Sequence, residues 1–207
     1  MPAAGTVFVV DDDASVRKSL TRLLEAAGYT VGAFASSREF LEAARMPAPC
    51  CLVLDVRMPG ITGLDLQKTL AQAVHRIPIV FVTGHGDIPT SVRAMKAGAI
   101  DFLTKPYAAK DLLDAIRRGL DKDTRDLGRE ARTQSIHARV EKLTPRERQV
   151  FALVVTGMLN KQIAAQLGVV EKTVKVHRAR VMEKMRAGSV AELVRLADDV
   201  GVIVATS

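Results

Sequence analysis

The sequence predicts an α/β fold with a doubly wound, five-stranded parallel sheet, followed by a second, smaller all-α domain. Short apolar runs alternate with helical periodicity through residue 120, a mixed-charge stretch interrupts the pattern, and only helical segments follow. The length of 207 residues is sufficient for two domains. We therefore expect domains at residues 1–120 and 143–207, joined by a charged, partly helical linker at residues 121–142.

Five apolar runs in the first domain have the length and composition of buried strands. They lie at residues 6–10, 29–34, 51–55, 77–83 and 100–104. Apolar residues at helical spacing follow each run, at residues 16–27, 37–44, 63–74, 89–97 and from Ala109 onward. Because every strand leads into a helix, we expect parallel strands in the order 2-1-3-4-5.

The second domain opens with a well-marked helix start. Thr144 is the expected N-cap, Pro145 takes the first helical position, and Glu147 completes a capping box. Three more helical segments follow. They are a short one that Gly168 ends, a basic one at residues 171–185 and a last one at residues 189–201.

Composition and charge exclude several classes of protein. No apolar run approaches the roughly 18 residues of a membrane helix, and no signal peptide is evident, so we expect a cytoplasmic protein without a membrane partner. Cys50 and Cys51 are the only cysteines, and we expect both to be buried packing residues. Residues 143–207 carry 10 basic and 6 acidic side chains, which suggests a polyanion partner for that domain.

Polar side chains stand at the ends of four predicted strands, beyond which ligands bind in a sheet of this order. They are Asp11, Asp12, Asp13, Asp55, Thr83 and Lys105. Clustered carboxylates repel one another, and a Mg²⁺ ion shared with phosphate oxygens would remove that repulsion. Asp55 is central and is the expected nucleophile for a phosphoryl group. Asp13 is expected to cap the following helix instead.

The segments VVDDD, LVLDVRMPGITGLDL, IVFVTGHGD and AGAIDFLTKPY closely resemble the receiver domain of bacterial two-component response regulators. The resemblance covers residues 6–120 and implies a flavodoxin-like fold. It also implies that a sensor histidine kinase phosphorylates Asp55. The Mg²⁺ shell would consist of Asp11, Asp12, Asp55 and the backbone carbonyl of Arg57.

The same resemblance assigns roles to three residues on the far side of the pocket. Thr83 and Lys105 would contact the phosphoryl oxygens, and the Lys105–Pro106 peptide would be cis. Phe102 would be an aromatic switch that turns inward when Thr83 moves toward the phosphate. The alternative for Phe102 is an ordinary core aromatic of the fifth strand.

The segments LTPRERQVFALVVTGMLNKQIAAQLGV and EKTVKVHRARVMEKM resemble the LuxR/NarL-type helix-turn-helix DNA-binding domain, in which the basic helix enters the major groove. Lys175 and Val176 match positions that touch base edges, whereas Ala179 stands where relatives often have a base-reading side chain. Phosphate contacts are expected from Thr173, His177, Arg178 and Arg180. His177 could instead be a neutral packing residue.

As a whole, the chain resembles a FixJ-type response regulator, as the TGHGD and HRARVMEKM segments and the long charged linker indicate. This implies a transcription factor that forms a homodimer on phosphorylation and binds promoter DNA, with RNA polymerase as a further partner. We expect the dimer surface to comprise helix 89–97, the fifth strand and the last receiver helix. Ala94, Ala97 and Ala99 would permit close approach there.

Two other functions share parts of this pattern. A Mg²⁺-dependent phosphatase also forms an aspartyl-phosphate, but phosphatases of the haloacid dehalogenase type need an aspartate two residues after the nucleophile, where this chain has Arg57. A ligand-sensing LuxR-type regulator would need an aromatic pocket, yet only 4% of the residues are aromatic. We therefore expect no enzyme activity beyond phosphotransfer and autodephosphorylation on Asp55.

Overall fold

A computed structural model of the chain describes residues 5–43, 49–72, 76–84 and 86–201. The chain divides into two compact units, residues 1–127 and residues 128–207. None of the helices within the described ranges combines the length and the apolar character needed to cross a membrane.

The first unit is built around a parallel sheet with the strand order β2-β1-β3-β4-β5, as predicted. Its strands are β1 (Thr6–Val10), β2 (Thr30–Phe34), β3 (Cys50–Leu54), β4 (Ile79–Thr83) and β5 (Asp101–Thr104). The intervening helices are α1 (Ala14–Ala26), α2 (Ser37–Ala43), α3 (Gly63–Leu70) and α4 (Ile88–Lys96). Ala44 and Val74, the predicted ends of the second and third helices, lie outside the described residues.

Apolar side chains on both faces of the sheet form two separate layers of core. Phe8 and Val10 of β1 pack into one layer, whereas Val7 and Val9 pack into the other. Every residue of β3 and β4 is buried, which explains why these strands are continuous apolar runs. Cys50 and Cys51 are free, buried thiols, as predicted, and burial raises the pKa of Cys50 to about 12.

Helix α5 (Ala109–Glu141) is longer than expected, because it continues through the predicted partly helical linker. The mixed charges of this stretch include an i, i+4 ion pair between Lys122 and Asp126, which supports a helix. The stretch also carries buried anchors, since Asp123 is fully buried in the first unit and Ile136 packs into the core of the second. The charged linker is therefore not free in solvent, because a buried side chain anchors it near each end.

The second unit packs the end of α5 with α6 (Pro145–Val155), α7 (Asn160–Leu167), α8 (Glu171–Met185) and α9 (Val190–Asp199). The predicted capping box is present, because the Thr144 hydroxyl accepts from the Glu147 N–H and the Glu147 carboxylate accepts from the Thr144 N–H. Gly168 ends α7 with a left-handed φ of 63°, as predicted. Helices α7 and α8 form the helix-turn-helix.

Glu147 also fixes α8 against the start of α6. Its carboxylate is 2% exposed and accepts a 2.6 Å hydrogen bond from Lys184 Nζ. The bond to Lys184, followed by the bond from the Thr144 N–H, lowers the pKa of Glu147 from 4.5 to about 2. One carboxylate thus serves as a helix cap and as an interhelical ion pair.

We predict that this carboxylate makes the second unit acid-labile. Because the folded pKa lies below the unfolded value, its stabilisation is present above about pH 4.5 and is lost as the pH falls toward about 2. Glu147→Gln should lower the free energy of unfolding by about 1–3 kcal/mol at pH 7, with a smaller difference at pH 3. Chemical denaturation followed by circular dichroism at both pH values measures this, with exposed Glu183→Gln as the control. Equal stabilities at pH 7 would contradict the assignment.

Candidate functional site

The predicted acidic site forms where the carboxyl ends of β1 and β3 lie side by side. Val10 pairs with Leu54 in the sheet, so the residues that follow them, Asp11 and Asp55, are neighbours. One carboxylate oxygen from each of Asp11, Asp12 and Asp55 lies within 4.8 Å of the other two. Asp11 and Asp55 are buried, whereas Asp12 is exposed. The arrangement concentrates negative charge in a pocket that is open on one side.

Lys105 supplies the positive charge that faces these carboxylates. Its Nζ donates to Asp11 Oδ2 at 2.8 Å and lies 3.8 Å from Asp55 Oδ2. Its backbone N–H donates to the carbonyl of Thr83, which places Thr83, itself 1% exposed, on the same side of the pocket. The Lys105–Pro106 peptide is cis, as expected. Four strand ends thus bring all five predicted pocket residues together.

The titration of Asp55 reflects its position in this pocket. Burial is the main cause that raises the pKa of Asp55, and the charge of Asp11 adds to it. The N–H of Arg57, which donates to Asp55 Oδ1 at 3.2 Å, and the charge of Lys105 act in the opposite direction. Burial alone would lower the pKa of Lys105. The hydrogen bond from Lys105 to Asp11, together with the charges of Asp11 and Asp55, outweighs this effect, so the pKa of Lys105 is raised. A further positive charge beside Asp55 would therefore favour its ionised form.

The loop after β1 separates the roles of the three adjacent aspartates. Asp13 is the N-cap of α1, as predicted, because its carboxylate accepts from the N–H groups of Ser15 and Val16. Asp11 Oδ1 accepts from the Asp13 N–H at 2.9 Å, while Arg17 Nη1 donates to the Asp11 carbonyl at 2.7 Å. Arg17 was not predicted from the sequence, because its position six residues after Asp11 gives no local signal of this contact.

Gly63 allows α3 to begin directly against the phosphoacceptor candidate. A Cβ atom at Gly63 would lie 2.2 Å from the carbonyl oxygen of Asp55, far closer than side-chain atoms approach backbone. The Gly63 N–H donates to the carbonyl of Val56, which closes the loop tightly. Only glycine fits this position without displacing the backbone of Asp55.

Phe102 is half-buried, with its ring centroid 6.0 Å from that of Phe81. The loop after β4 lies against it, since a Cβ atom at Gly86 would be 3.0 Å from the Phe102 ring. The ring therefore borders both the core and the loop that follows Thr83. His85 of the TGHGD motif lies outside the described residues.

One expectation about the proposed partner surface around α4 is wrong. Ala94 and Ala99, expected to permit close approach to a partner, are buried, and only Ala97 of the three is exposed. Ala94 lies on the core side of α4, and Ala99 lies beyond the helix, where its N–H donates to the Ala94 carbonyl. The exposed face of α4 instead carries Ile88, Val92 and Met95.

Helix α8 separates into a core face and an exposed face. Val174, Val181 and Met185 are buried. The opposite face exposes Lys175, Val176 and Arg180, with Lys175 Nζ 3.4 Å from Glu171 Oε1. The exposed face of α8 therefore carries cationic side chains.

Three other predicted DNA-contacting residues, Thr173, His177 and Arg178, are only partly exposed. Arg178 Nη1 donates to Asn160 Oδ1 at 2.9 Å and so ties α8 to the start of α7. His177 Nδ1 is enclosed without a hydrogen-bond partner among the described residues, so that edge of its ring packs rather than contacts solvent. Asn160 was missed because nothing in its own segment signals a partner 18 residues away.

Comparisons with known proteins find relatives of both domains. Residues 7–117 match the family model of the response regulator receiver domain, and residues 141–197 match that of the bacterial regulatory proteins of the luxR family. Nodulation protein W of Bradyrhizobium diazoefficiens is 49% identical over 95% of this chain and 86% of its own length. The transcriptional regulatory protein FixJ of the same species is 43% identical over 98% and 99% of the two chains.

Two solved structures cover both domains. The response regulator StyR shares 49% identity and a TM-score of 0.83, over 94% of this chain and 98% of its own. Full-length FixJ from B. japonicum shares 43% identity and a TM-score of 0.59, over 97% and 99% of the two chains.

We predict that Gly63→Ala destabilises the first unit by about 1–3 kcal/mol, because the added methyl group displaces the Asp55 backbone. Gly128→Ala is the matched control, since its Cβ enters open space in α5 and should stabilise by about 0.5–1 kcal/mol. Urea denaturation of both variants measures the difference. If Gly63→Ala is as stable as the unchanged protein, the loop accommodates the methyl group and the close approach carries no constraint.

Proposed function

Because this chain belongs to the response regulators that join a receiver domain to a LuxR-type DNA-binding domain, we propose that a sensor histidine kinase phosphorylates Asp55 and thereby activates the protein for binding promoter DNA. The observation that carries the proposal is the convergence of the carboxylates of Asp11, Asp12 and Asp55 beside Lys105. Three carboxylates facing Lys105 leave the pocket net negative, so it would accept an anionic phosphoryl group together with a metal cation.

The donor set fits Mg²⁺, which prefers carboxylate and carbonyl oxygens. Asp11, Asp12, Asp55 and the backbone carbonyl of Arg57 would hold the ion, whose charge would offset that of the carboxylates and of the phosphoryl group. The pKa of Asp55 is raised mainly by burial, with a contribution from the charge of Asp11, so a cation beside Asp55 would favour its ionised form.

Phosphotransfer itself relies on the residues around Asp55. A carboxylate oxygen of Asp55 forms a bond to phosphorus while the bond between phosphorus and the imidazole nitrogen of the kinase histidine breaks. Lys105 and Thr83 would contact the phosphoryl oxygens. For this contact, the Lys105 ammonium would have to give up its hydrogen bond to Asp11 and donate to a phosphoryl oxygen instead. Burial of Asp11, Asp55 and Thr83 limits the access of water to the acyl phosphate.

A movement of Thr83 toward the phosphoryl group would alter the surface next to it. The loop between Thr83 and α4 packs on the half-buried Phe102, so that the ring can follow Thr83. The new negative charge would repel DNA, so a direct electrostatic effect of the phosphoryl group cannot raise the affinity for DNA. A change of oligomeric state is the mechanism that we propose instead.

The proposed dimer surface lies on α4. Ile88, Val92 and Met95 are 79%, 44% and 45% exposed and follow one another at helical spacing, so they form an apolar stripe. Arg93 and Lys96 border the stripe, and Asp111 is exposed in the first turn of α5. Two copies related by a two-fold axis can pair the stripes and bring cations of one copy toward acidic groups of the other.

Phosphorylation of Asp55 is tested with acetyl phosphate and Mg²⁺. The unchanged protein and Asp13→Asn, whose side chain only caps α1, should each gain the mass of one phosphoryl group. Asp55→Asn should gain none, because the amide cannot attack phosphorus. Mass spectrometry of the intact chains decides the question, and an equal gain on Asp55→Asn would place the phosphoacceptor elsewhere.

DNA contacts are tested by separating base readout from phosphate contact. Lys175→Ala should weaken binding to the preferred site by about 1–3 kcal/mol and relax base preference. Arg180→Ala should weaken binding to all DNA sequences alike. It should also reduce the slope of the logarithm of the binding constant against the logarithm of the salt concentration by about one. Fluorescence anisotropy across salt concentrations measures both, with Arg195→Ala on α9 as the control. Identical behaviour of the two α8 variants would refute the division of roles.

Dimerisation is tested with a beryllium fluoride mimic of the phosphoryl group. Light scattering should show a shift from monomer to dimer, with a gain in dimer population of about 5–150-fold. Val92→Ser and Met95→Ser should remain monomeric, whereas Leu41→Ser, which alters a similarly exposed apolar residue on α2, should still dimerise. A protein that stays monomeric yet binds DNA more tightly with the mimic would contradict the dimer mechanism.

A further inference from the structure

A recess in the second unit lies between the end of α5 and the end of α8. Its volume of about 420 Å³ falls within the range of roughly 300–1,000 Å³ that is typical of small-molecule sites. Four cations line it, namely Arg139, Lys142, Lys184 and Arg186, whereas Glu183 is the single acidic residue among the described residues of the lining. We call it the cationic recess.

Two of the four cations have a structural role. Lys184 Nζ donates to Glu147 Oε2 at 2.6 Å, so its charge is matched by a buried carboxylate. Arg139 Nη1 donates to the Met185 carbonyl at 3.1 Å, at the end of α8, where a cation offsets the negative end of the helix dipole. No carboxylate within the described residues pairs with Arg139.

The other two cations, Lys142 and Arg186, have no such role. Both are exposed, and neither side chain makes a hydrogen bond or an ion pair with another residue in the part of the chain that the structure describes. Together with Arg139 they face the one carboxylate of Glu183, which leaves a surplus of about two positive charges. A phosphate monoester carries about −1.5 to −2 charges near neutral pH and would balance this surplus.

Arg186 also occupies a backbone conformation that glycine usually takes. It ends α8 with a φ of 53°, and no other non-glycine residue in the described ranges has a positive φ. Helix α7 ends in the same left-handed conformation with Gly168. A residue with a Cβ atom adopts this conformation at a cost that glycine avoids, and strained residues of this kind cluster at binding sites.

The position of the recess favours a small ligand over DNA. Arg186 lies about 16 Å along the helix axis beyond Lys175, the proposed base contact on the same helix. The cations of the recess surround a concavity, and concave sites enclose small molecules.

We propose that the cationic recess binds the phosphate group of a small phosphorylated metabolite. The planar guanidinium groups of Arg139 and Arg186 donate paired hydrogen bonds to phosphate oxygens, and Lys142 adds a point charge. Because Arg139 belongs to α5 and Arg186 ends α8, the bound phosphate fastens the ends of these two helices together. This binding is separate from the phosphorylation of Asp55.

Titration of the full-length, isotope-labelled protein with inorganic phosphate tests the proposal by NMR spectroscopy. EDTA keeps Mg²⁺ away from Asp55, and sodium chloride holds the ionic strength constant. The backbone amide signals of residues 135–142 and 183–186 should shift and reach saturation. Arg186→Gly and Lys142→Ala should each raise the phosphate concentration at half-saturation by about tenfold, because each removes a charge-assisted hydrogen bond.

Three further measurements separate binding from folding and from general charge. Arg186→Gly should not lower the melting temperature, since glycine adopts the left-handed conformation without strain; if it does, Lys142→Ala carries the test. Glu183→Gln should tighten phosphate binding by about two- to fivefold, because it removes the one carboxylate of the lining. Arg129→Ala, which removes an exposed cation of α5 outside the recess, should bind phosphate like the unchanged protein.

Shifts that do not saturate, or half-saturation that is the same in Arg186→Gly, Lys142→Ala and the unchanged protein, would indicate an adventitious ion only and overturn the proposal. Absence of any response to phosphate would also overturn it, and weaker DNA binding by both variants would then assign the recess to the DNA backbone. None of these results bears on Asp55, whose phosphorylation is measured separately by mass spectrometry.

Discussion

The charge balance among Asp11, Asp55 and Lys105 is the interaction on which the rest of the first unit depends. The register of two adjacent parallel strands forces the two buried carboxylates together, and the cis bond at Lys105 belongs to the loop that returns the ammonium to them. Burial and the neighbouring charge of Asp11 both raise the pKa of Asp55, and Lys105 offsets part of that effect. The same strands that fix the sheet thus hold carboxylates of like charge side by side.

The polar side chains of interest stand on different secondary structure in the two units. In the first, the reactive groups follow strands that are buried on both faces, so their positions are fixed by the sheet. In the second, the exposed cations stand on α8, which Val174, Val181 and Met185 anchor in the core. Hydrogen bonds of Lys184 to Glu147 and of Arg178 to Asn160 add polar ties to neighbouring helices.

Local patterns predicted much of the fold and the site. Continuous apolar runs marked the strands, the capping box marked the start of α6, and polar residues at strand ends marked the pocket. Contacts between distant segments could not be predicted, as with Arg17 at the Asp11 carbonyl and Arg178 at Asn160. The burial of Ala94 on α4 and of Ala99 after it was also not predicted, because alanine occurs on both buried and exposed faces and so does not reveal which way it points.

Asp123 determines where the first unit can be separated from the rest of the chain. It lies on α5, beyond the end of the receiver family match at residue 117, and its carboxylate accepts a 2.8 Å hydrogen bond from the Cys50 N–H at the start of β3. A fragment that ends at residue 120 would leave this buried N–H without its acceptor and uncover two thiols that are otherwise inert. A fragment that ends after Leu127 keeps the contact, so its amides should exchange hydrogen slowly in β3 and its cysteines should resist alkylation.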